Sequence, residues 1–409
     1  MANADFLPVL LGSDLNVYGM ARSFPEQYGV RSLAVSKMVC TATVDTRLID
    51  FCFEPDLEAP EKFLNKLMEV KDAHPGKTLV LVPCGDGYVK LLVRFQEELR
   101  PYYAFTCLSE ELLERLSVKE NFYGVCDQYG FAYPKTTVVT KENWKTQELP
   151  FPFPVVLKAS NSVEYWKCSF PGRRKAFVAQ DKPEYERILG AIYSSSYQDH
   201  MTIQEYIPGD DSQMRVLNCY VASDGKVKLM ALGNPLLEEH TPQGIGNYVA
   251  IVNTCDEALL EKFRAFLEDI GYRGFANFDM KLDPRDGSYK LFENNIRQGR
   301  SSYYVTAAGY NLAKWLVEDV VEHKAAEMPL TIAREEHLWL QVPKGIVYKY
   351  VRDEALKEKA RRLVRAGKCT NSLFYKPDLS PSRRMKLELA MLNHYRKYRA
   401  YFGKKGMPE

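Results

Sequence analysis

The sequence predicts an α/β protein with an α+β portion in its middle and a basic segment at its end. Three observations carry that prediction. Near the N-terminus, short apolar runs ending in glycine turns alternate with helical patterns. Paired strand patterns with turn signals dominate the middle. Basic residues crowd the last eighty positions, where acidic ones are sparse.

The run FLPVLLGSD reads as a buried strand ending at Gly12 and Ser13, before a helical pattern through Val17, Met20 and Phe24. A second strand, TLVLVP, ends in Cys84, Gly85, Asp86 and Gly87 and feeds a helix through Tyr88, Leu91, Leu92 and Phe95. Strand, glycine turn and helix, repeated, predict a parallel sheet with loops at its carboxyl edge. Neither turn has GxGxxG spacing, so each is as open to shaping a substrate site or capping a helix as to binding a dinucleotide. A helix is expected over 109–130, and Pro134 biases Tyr133 toward extended backbone. FPFPVVLKAS is a β-rich run with Lys158 near its end. KAFVAQD is a second strand, and 182–194 a helix. The strand MTIQEYI leads to a turn at Pro208 to Asp211. MRVLNCYVASDGKVKLMAL is a hairpin with Asp224 and Gly225 as a two-residue turn. Asp256 caps an amphipathic helix whose stripe is Leu260, Phe263, Phe266, Leu267 and Ile270, stopped by Gly271.

The segment GFANFDMKLDPRDGSYKLFENNIRQGRSS, 274–302, reads as two strands around a Pro- and Gly-bearing turn. Alternation puts Asn277, Asp279 and Lys281 on one face of the first strand, and Phe278, Met280 and Leu282 on the other. Glu293 and Asn295 share a face of the second strand. Two carboxylates and an amide oxygen therefore converge above an apolar layer. Hard oxygen donors of this kind suit Mg²⁺ bridging nucleotide phosphates, not zinc or copper. Arg297 and Arg300 follow at once. Ahead of the hairpin stand Lys119 and Lys158, compact cations suited to phosphate. Glu205 and Asp211 bracket a turn with Ile207 between them, a set suited to an adenine amino group and a ribose hydroxyl.

Composition excludes several classes. With 55 Lys and Arg against 53 Asp and Glu, the chain is not a strongly basic nucleic-acid binder. The nine cysteines form no CxxC pair and read as reduced thiols. MANADFLPVLLGSD lacks a basic n-region and a long apolar core, so no secretory signal is expected. No apolar run of ~18 residues is present, so no membrane span is expected.

In order, these motifs resemble the ATP-grasp superfamily: Lys119 before GFAYPKT, Lys158 in FPVVLKAS, QEYIPGDD, then Asp279 and Glu293-x-Asn295-x-Arg297. The resemblance spans roughly 5–325. Within it the chain looks like the D-aspartate ligases of peptidoglycan precursor synthesis, through LLGSDLNVYGMARSF, PCGDGY, NSVEYW, QEYIPGDDSQMRVLN, IGNYV and RQGRSS. Two features depart from the wider pattern. Ile296 stands where a proline is common, and the loop SNSVEYWKCSFPGRRKA is not a Gly-rich phosphate flap, leaving Ser160, Ser162 and Lys167 as candidates there.

The resemblance implies an N-terminal Rossmann-like pre-ATP-grasp domain over 1–115 and an ATP-grasp domain over 116–325, split near 198/199. A basic extension would occupy 326–409. It implies ATP and Mg²⁺, with Lys119, Lys158, Glu205, Ile207 and Asp211 on the nucleotide and Asp279, Glu293 and Asn295 on the metal. Arg297, Arg215 and Arg300 would meet the transferring phosphoryl group or the amino acid's free carboxylates. A carboxylate would be activated as an acyl phosphate and then attacked by an amine. The donor would be the β-carboxylate of D-aspartate, and the acceptor the lysine amine of a UDP-linked muropeptide. The base for that amine is left open, with His240 one candidate. The basic tail would meet the acceptor's pyrophosphate and uridine, an anionic membrane surface, or simply solvent, in a cytoplasmic protein. A ligase for another amino acid or amine, or an ATP-binding protein without catalysis, shares most of these residues.

Overall fold

The computed structural model describes residues 5–404, without the side chains of 119, 120, 162 and 163. Three sheets organise the chain. The first comprises β1 (Phe6–Leu11), β2 (Ser32–Ser36), β3 (Ile49–Phe53), β4 (Thr78–Pro83) and β5 (Tyr103–Ala104), all parallel in the order β3-β2-β1-β4-β5. Its central strands are buried on both faces, as parallel strands sandwiched by helices must be. Val9, Leu33 and Leu81 pack on Phe63 and Leu67 on one side. Leu10, Ala34 and Val80 meet Val17, Ala21 and Phe24 on the other. The helix Leu15–Tyr28 starts where Asp14 accepts the N–H groups of Asn16 and Val17. It ends at Gly29, whose φ of 71° only glycine adopts cheaply.

The second sheet is antiparallel: β6 (Thr136–Val139), β7 (Val155–Ala159), β8 (Ala176–Ala179) and β9 (Met201–Glu205), in the order β6-β9-β7-β8. The helix Lys182–Tyr193 buries Ile188, Leu189 and Ile192 against it. Because β9 lies inside this sheet, the expected division at 198/199 cuts a sheet. The chain changes sheets only between 206 and 213. The presumed loop after Lys158 also contains a helical turn, Ser162–Lys167, where Asn161 accepts the N–H of Glu164.

The third sheet holds β10 (Met214–Val221), β11 (Val227–Glu238), β12 (Tyr248–Thr254), β13 (Gly274–Leu282), β14 (Tyr289–Asn295), β15 (Thr331–Ile332), β16 (Leu338–Leu340) and β17 (Cys369–Asn371). The order is β14-β13-β10-β11-β12-β16-β17, with β15 beside β11. Phe278, Met280 and Leu291 pack one face against Phe263 and Phe266 of the helix Glu257–Asp269. Val216 and Ala231 pack the other face against Tyr304. The expected helix over 109–130 is two helices, Glu110–Ser117 and Lys119–Gln128, broken at Val118 in extended backbone.

The last eighty residues are not an appended extension. β15, β16 and β17 complete the large sheet. The C-terminal helix Pro381–Tyr401 is anchored by Arg383 and Asp378, fully buried and 3.0 Å apart. Arg383 also donates to the carbonyl of Ala42 at 2.9 Å, and Tyr18 donates to Asp378 at 2.8 Å. The tail is thereby tied to the N-terminal sheet.

Candidate active site

The site forms where the β13–β14 hairpin, the carboxyl edge of the first sheet, β7 and the C-terminal helix converge. Register places Asp279 directly opposite Glu293, and Asn277 opposite Asn295. The ladder shifts between Asp279 and Met280, leaving Phe292 without a partner on β13. The Asn295 amide donates to Asn277 at 2.9 Å and to Asp279 at 3.1 Å, so its side-chain oxygen faces outward. The Tyr248 hydroxyl donates to Asp279. Burial, and then the neighbouring Glu293 carboxylate, push the Asp279 carboxyl up to about 7. Two carboxylates facing each other, one partly buried, are a charge arrangement that a divalent cation relieves. Both carboxylates and the Asn295 oxygen are hard donors, so the set fits Mg²⁺.

Lys158, at the end of β7, aims its ammonium into the same space, 5.5 Å above the ring of Phe292. Burial lowers its pKa, with Glu293 opposing that shift. It makes no hydrogen bond or ion pair among the described residues. The Lys119 side chain lies outside the described residues, as does that of Ser162. Ser160 shares a 2.8 Å hydrogen bond with Thr202.

Arg297 lies beside the carboxylates. It donates to Asn295 at 3.3 Å and to Asp86 at 2.8 Å. Asp86 belongs to the second glycine turn of the first sheet, so that turn helps shape the site. Gln298 ties the same junction, its carbonyl accepting from Asn16 at 2.9 Å. Arg300 is half-buried and forms no ion pair among the described residues. Burial lowers its pKa while Asp14 and Glu239 oppose that.

Arg215 does not join this group. It stands opposite Met280 in the ladder, whereas Val216 stands opposite Asp279. One residue of register moves a side chain to the other face. Its guanidinium instead donates to the carbonyls of Ser212 and Met214 and lies beside Tyr289. The expected role of Arg215 at the reacting group is therefore corrected.

The other end of the cleft carries Glu205, Ile207 and Asp211. The Glu205 carboxylate accepts the Lys135 backbone N–H at 2.9 Å and pairs with Arg285 at 3.2 Å. Ile207 is buried, and its carbonyl accepts Lys281 Nζ at 2.8 Å. Asp211 borders a cavity with Tyr206, Leu236, His240, Tyr350 and Phe402. Its Oδ2 accepts the Glu238 N–H at 3.1 Å and meets His240 Nε2 at 3.1 Å. The other ring nitrogen of His240 accepts the Gly403 N–H at 3.3 Å. With both nitrogens engaged in a buried setting, His240 is a structural residue and not a free base.

Sequence reasoning missed three groups. Glu239 accepts from Thr241 at 2.8 Å and from Lys397 at 3.2 Å. His394, one turn before Lys397, has a buried Nδ1 without a hydrogen-bond partner among the described residues. Burial, and then Lys397, lower the pKa of His394, with Glu239 and Arg300 also within its field. Only the fold brings Glu239, His394 and Lys397 beside Arg300, so no local signal marked those three.

A parallel sheet, an antiparallel sheet and a larger, mostly antiparallel sheet whose β13–β14 hairpin carries the face-to-face carboxylate pair make up an ATP-grasp fold. No protein-family model matches the chain. Among solved structures, an N5-carboxyaminoimidazole ribonucleotide synthetase in its ADP complex aligns with a TM-score of 0.59 and 11% identity over 88% of this chain and 86% of that one. The L-amino acid ligase of Bacillus licheniformis aligns with a TM-score of 0.54 and 13% identity over 80% of this chain and 77% of that one. A biotin carboxylase domain from Hydrogenobacter thermophilus, solved with MgADP, gives 0.55 and 14% over 81% and 72%. A D-aspartate ligase of Enterococcus faecium (strain Aus0004) is 42% identical over 98% of this chain and 97% of its own length. The chain belongs to the D-aspartate ligase family.

Proposed function

We propose that this ligase activates the β-carboxylate of D-aspartate with ATP and joins it to the lysine side-chain amine of a UDP-linked muropeptide. The observation that carries the reading is the Asp279–Glu293 pair with Lys158, Arg297 and Arg300 around it. The 42% identity with a D-aspartate ligase, over 98% of this chain, supports the choice of amino acid.

A carboxylate in water is a poor electrophile, and phosphorylation makes it a good one. The demand on the protein is alignment and charge neutralisation. Asp279, Glu293 and Asn295 would hold Mg²⁺, which neutralises phosphate charge when bound. Lys158 holds nucleotide phosphates, together with Lys119. Asp211 takes a ribose hydroxyl. The Glu205 carboxylate is occupied, so 205–207 meets adenine through its backbone and Ile207.

Arg297, steadied by Asp86, faces the transferring phosphoryl group. Arg300, which forms no ion pair among the described residues, takes the free α-carboxylate of the amino acid. An attacking lysine is cationic at neutral pH and must first lose a proton. Burial, and then Lys397, lower the pKa of His394, and it accepts that proton through Nδ1. The amine then forms the C–N bond as the acyl C–O bond breaks and phosphate leaves.

Phosphate release from ATP, measured with D-Asp, L-Asp, D-Asn, Gly and L-Ala against lysine- and diaminopimelate-containing UDP-muropeptides, tests the reading. D-Asp with the lysine form is expected to turn over fastest. Faster turnover with another pair would contradict it.

A further inference from the structure

The C-terminal helix Pro381–Tyr401 has two unlike faces. Arg383, Leu387 and Tyr398 are buried against the body of the protein. On the opposite face, Met385, Leu389 and Leu392 follow at helical spacing and are 58%, 61% and 62% exposed. Single exposed apolar residues need no explanation, but three aligned ones on a rigidly anchored helix do. Their direction is fixed, because the buried Arg383–Asp378 pair holds the start of the helix.

Charge on this face is equally one-sided. Continuing the stripe by one and two turns are Arg396 and Arg399, both exposed and without an ion pair among the described residues. Arg384 is paired with Glu388, the only exposed acid on the helix. Residues 326–409 hold 19 Lys and Arg against 9 Asp and Glu, in a chain with only 55 against 53 overall. The rest of the protein is thus net acidic, and the helix itself holds six Lys and Arg against one Glu.

We propose that this face docks the ligase on an anionic lipid bilayer. Met385, Leu389 and Leu392 would enter the headgroup boundary, and Arg396 and Arg399 would meet lipid phosphates. Two facts favour a bilayer over a second copy of the chain. Three side chains fall well short of the roughly 800 Å² per partner that a stable protein interface buries. The unpaired arginines call for a negatively charged partner, and this helix offers an opposing copy only one acid, already paired. Among the described residues no helix is long and apolar enough to cross a membrane. The inner face of the same helix carries His394 and Lys397, so docking would leave the site on the side away from the lipid.

Co-sedimentation with vesicles tests this. The protein is expected to pellet with phosphatidylglycerol-containing vesicles at low salt, to release at high salt, and to stay in solution with pure phosphatidylcholine. The Leu389→Glu/Leu392→Glu variant and the Arg396→Glu/Arg399→Glu variant should each pellet about tenfold less. These residues lie outside the catalytic machinery, so phosphate release without vesicles should match the parent, which separates lost docking from lost folding. If the leucine variant fails to fold, the arginine variant, altered only at exposed ends, carries the test. Absence of binding to anionic vesicles, or binding unchanged in a folded variant, overturns the proposal. So does a dimer in light scattering that the leucine variant dissociates without any vesicle binding, which would assign the face to a second copy.

Discussion

Asp279 and Glu293 face one another across β13 and β14, and their proximity has a measurable consequence. Asp279 titrates near 7 because burial and Glu293 both oppose its ionisation. Its folded pKa lies above its unfolded value, so it favours the metal-free fold most at low pH, and that contribution is lost as pH rises through about 7. Mg²⁺ requires the ionised carboxylate, so Mg·ADP affinity should rise between pH 6 and pH 8 in a calorimetric titration. Asp279→Asn should abolish turnover and flatten that rise, without lowering the melting temperature at pH 8. Arg297→Met and Arg300→Met should each cost ~2–4 kcal/mol of transition-state stabilisation, read as kcat/KM. His394→Gln should lower kcat more than KM and remove the acidic limb of the pH profile. Full activity in that variant would place the base elsewhere. The carboxylate pair and Asn295 were legible in the sequence because strand alternation has a period of two. Arg215 was misplaced because parity along a strand does not reveal which residue of the neighbouring strand lies opposite. His394 was invisible because it comes together with Glu239 and Arg300 from widely separated parts of the chain.

At the scale of elements, the hairpin positions its side chains through close contacts that tolerate little. A Cβ on Gly299 would lie 2.9 Å from the Asn277 amide, which orients Asn295. Gly299→Ala should therefore reduce kcat/KM while leaving the circular dichroism spectrum unchanged. A Cβ on Gly233, in β11, would meet Ile251 at 2.7 Å and Val216 at 2.9 Å. Gly233→Ala should destabilise by ~1–3 kcal/mol in a denaturant titration. The turns at Asp224–Gly225 and Asp283–Gly287 were readable from turn chemistry, and Gly225 and Gly287 adopt φ of 82° and 72°. The break at Val118 and the helical turn Ser162–Lys167 were not, because local apolar spacing was too weak to mark them.

Across the whole molecule, the tail is the part that composition described least well. Its basic residues suggested a surface extension, yet β15 to β17 complete the main sheet and Arg383 is fully buried. Long-range pairing of β16 with β12 leaves no local trace beyond a short apolar run. Arg383→Met would leave Asp378 buried without its cation, and should cost about 3–5 kcal/mol, seen as a lowered melting temperature. The parallel sheet at the N-terminus was legible because its strands are apolar throughout and its turns carry glycine. Its Asp86 pairs with Arg297, and Lys158 of the second sheet lies in the field of Glu293, so the site draws on all three sheets. The most direct measurement is ATP-dependent phosphate release with D-aspartate and a lysine-containing UDP-muropeptide, followed by mass analysis of the product. The account predicts stoichiometric phosphate and an adduct heavier by one aspartyl residue, both lost in Glu293→Gln. Phosphate release without that adduct, or an adduct formed as readily with L-aspartate, would contradict it.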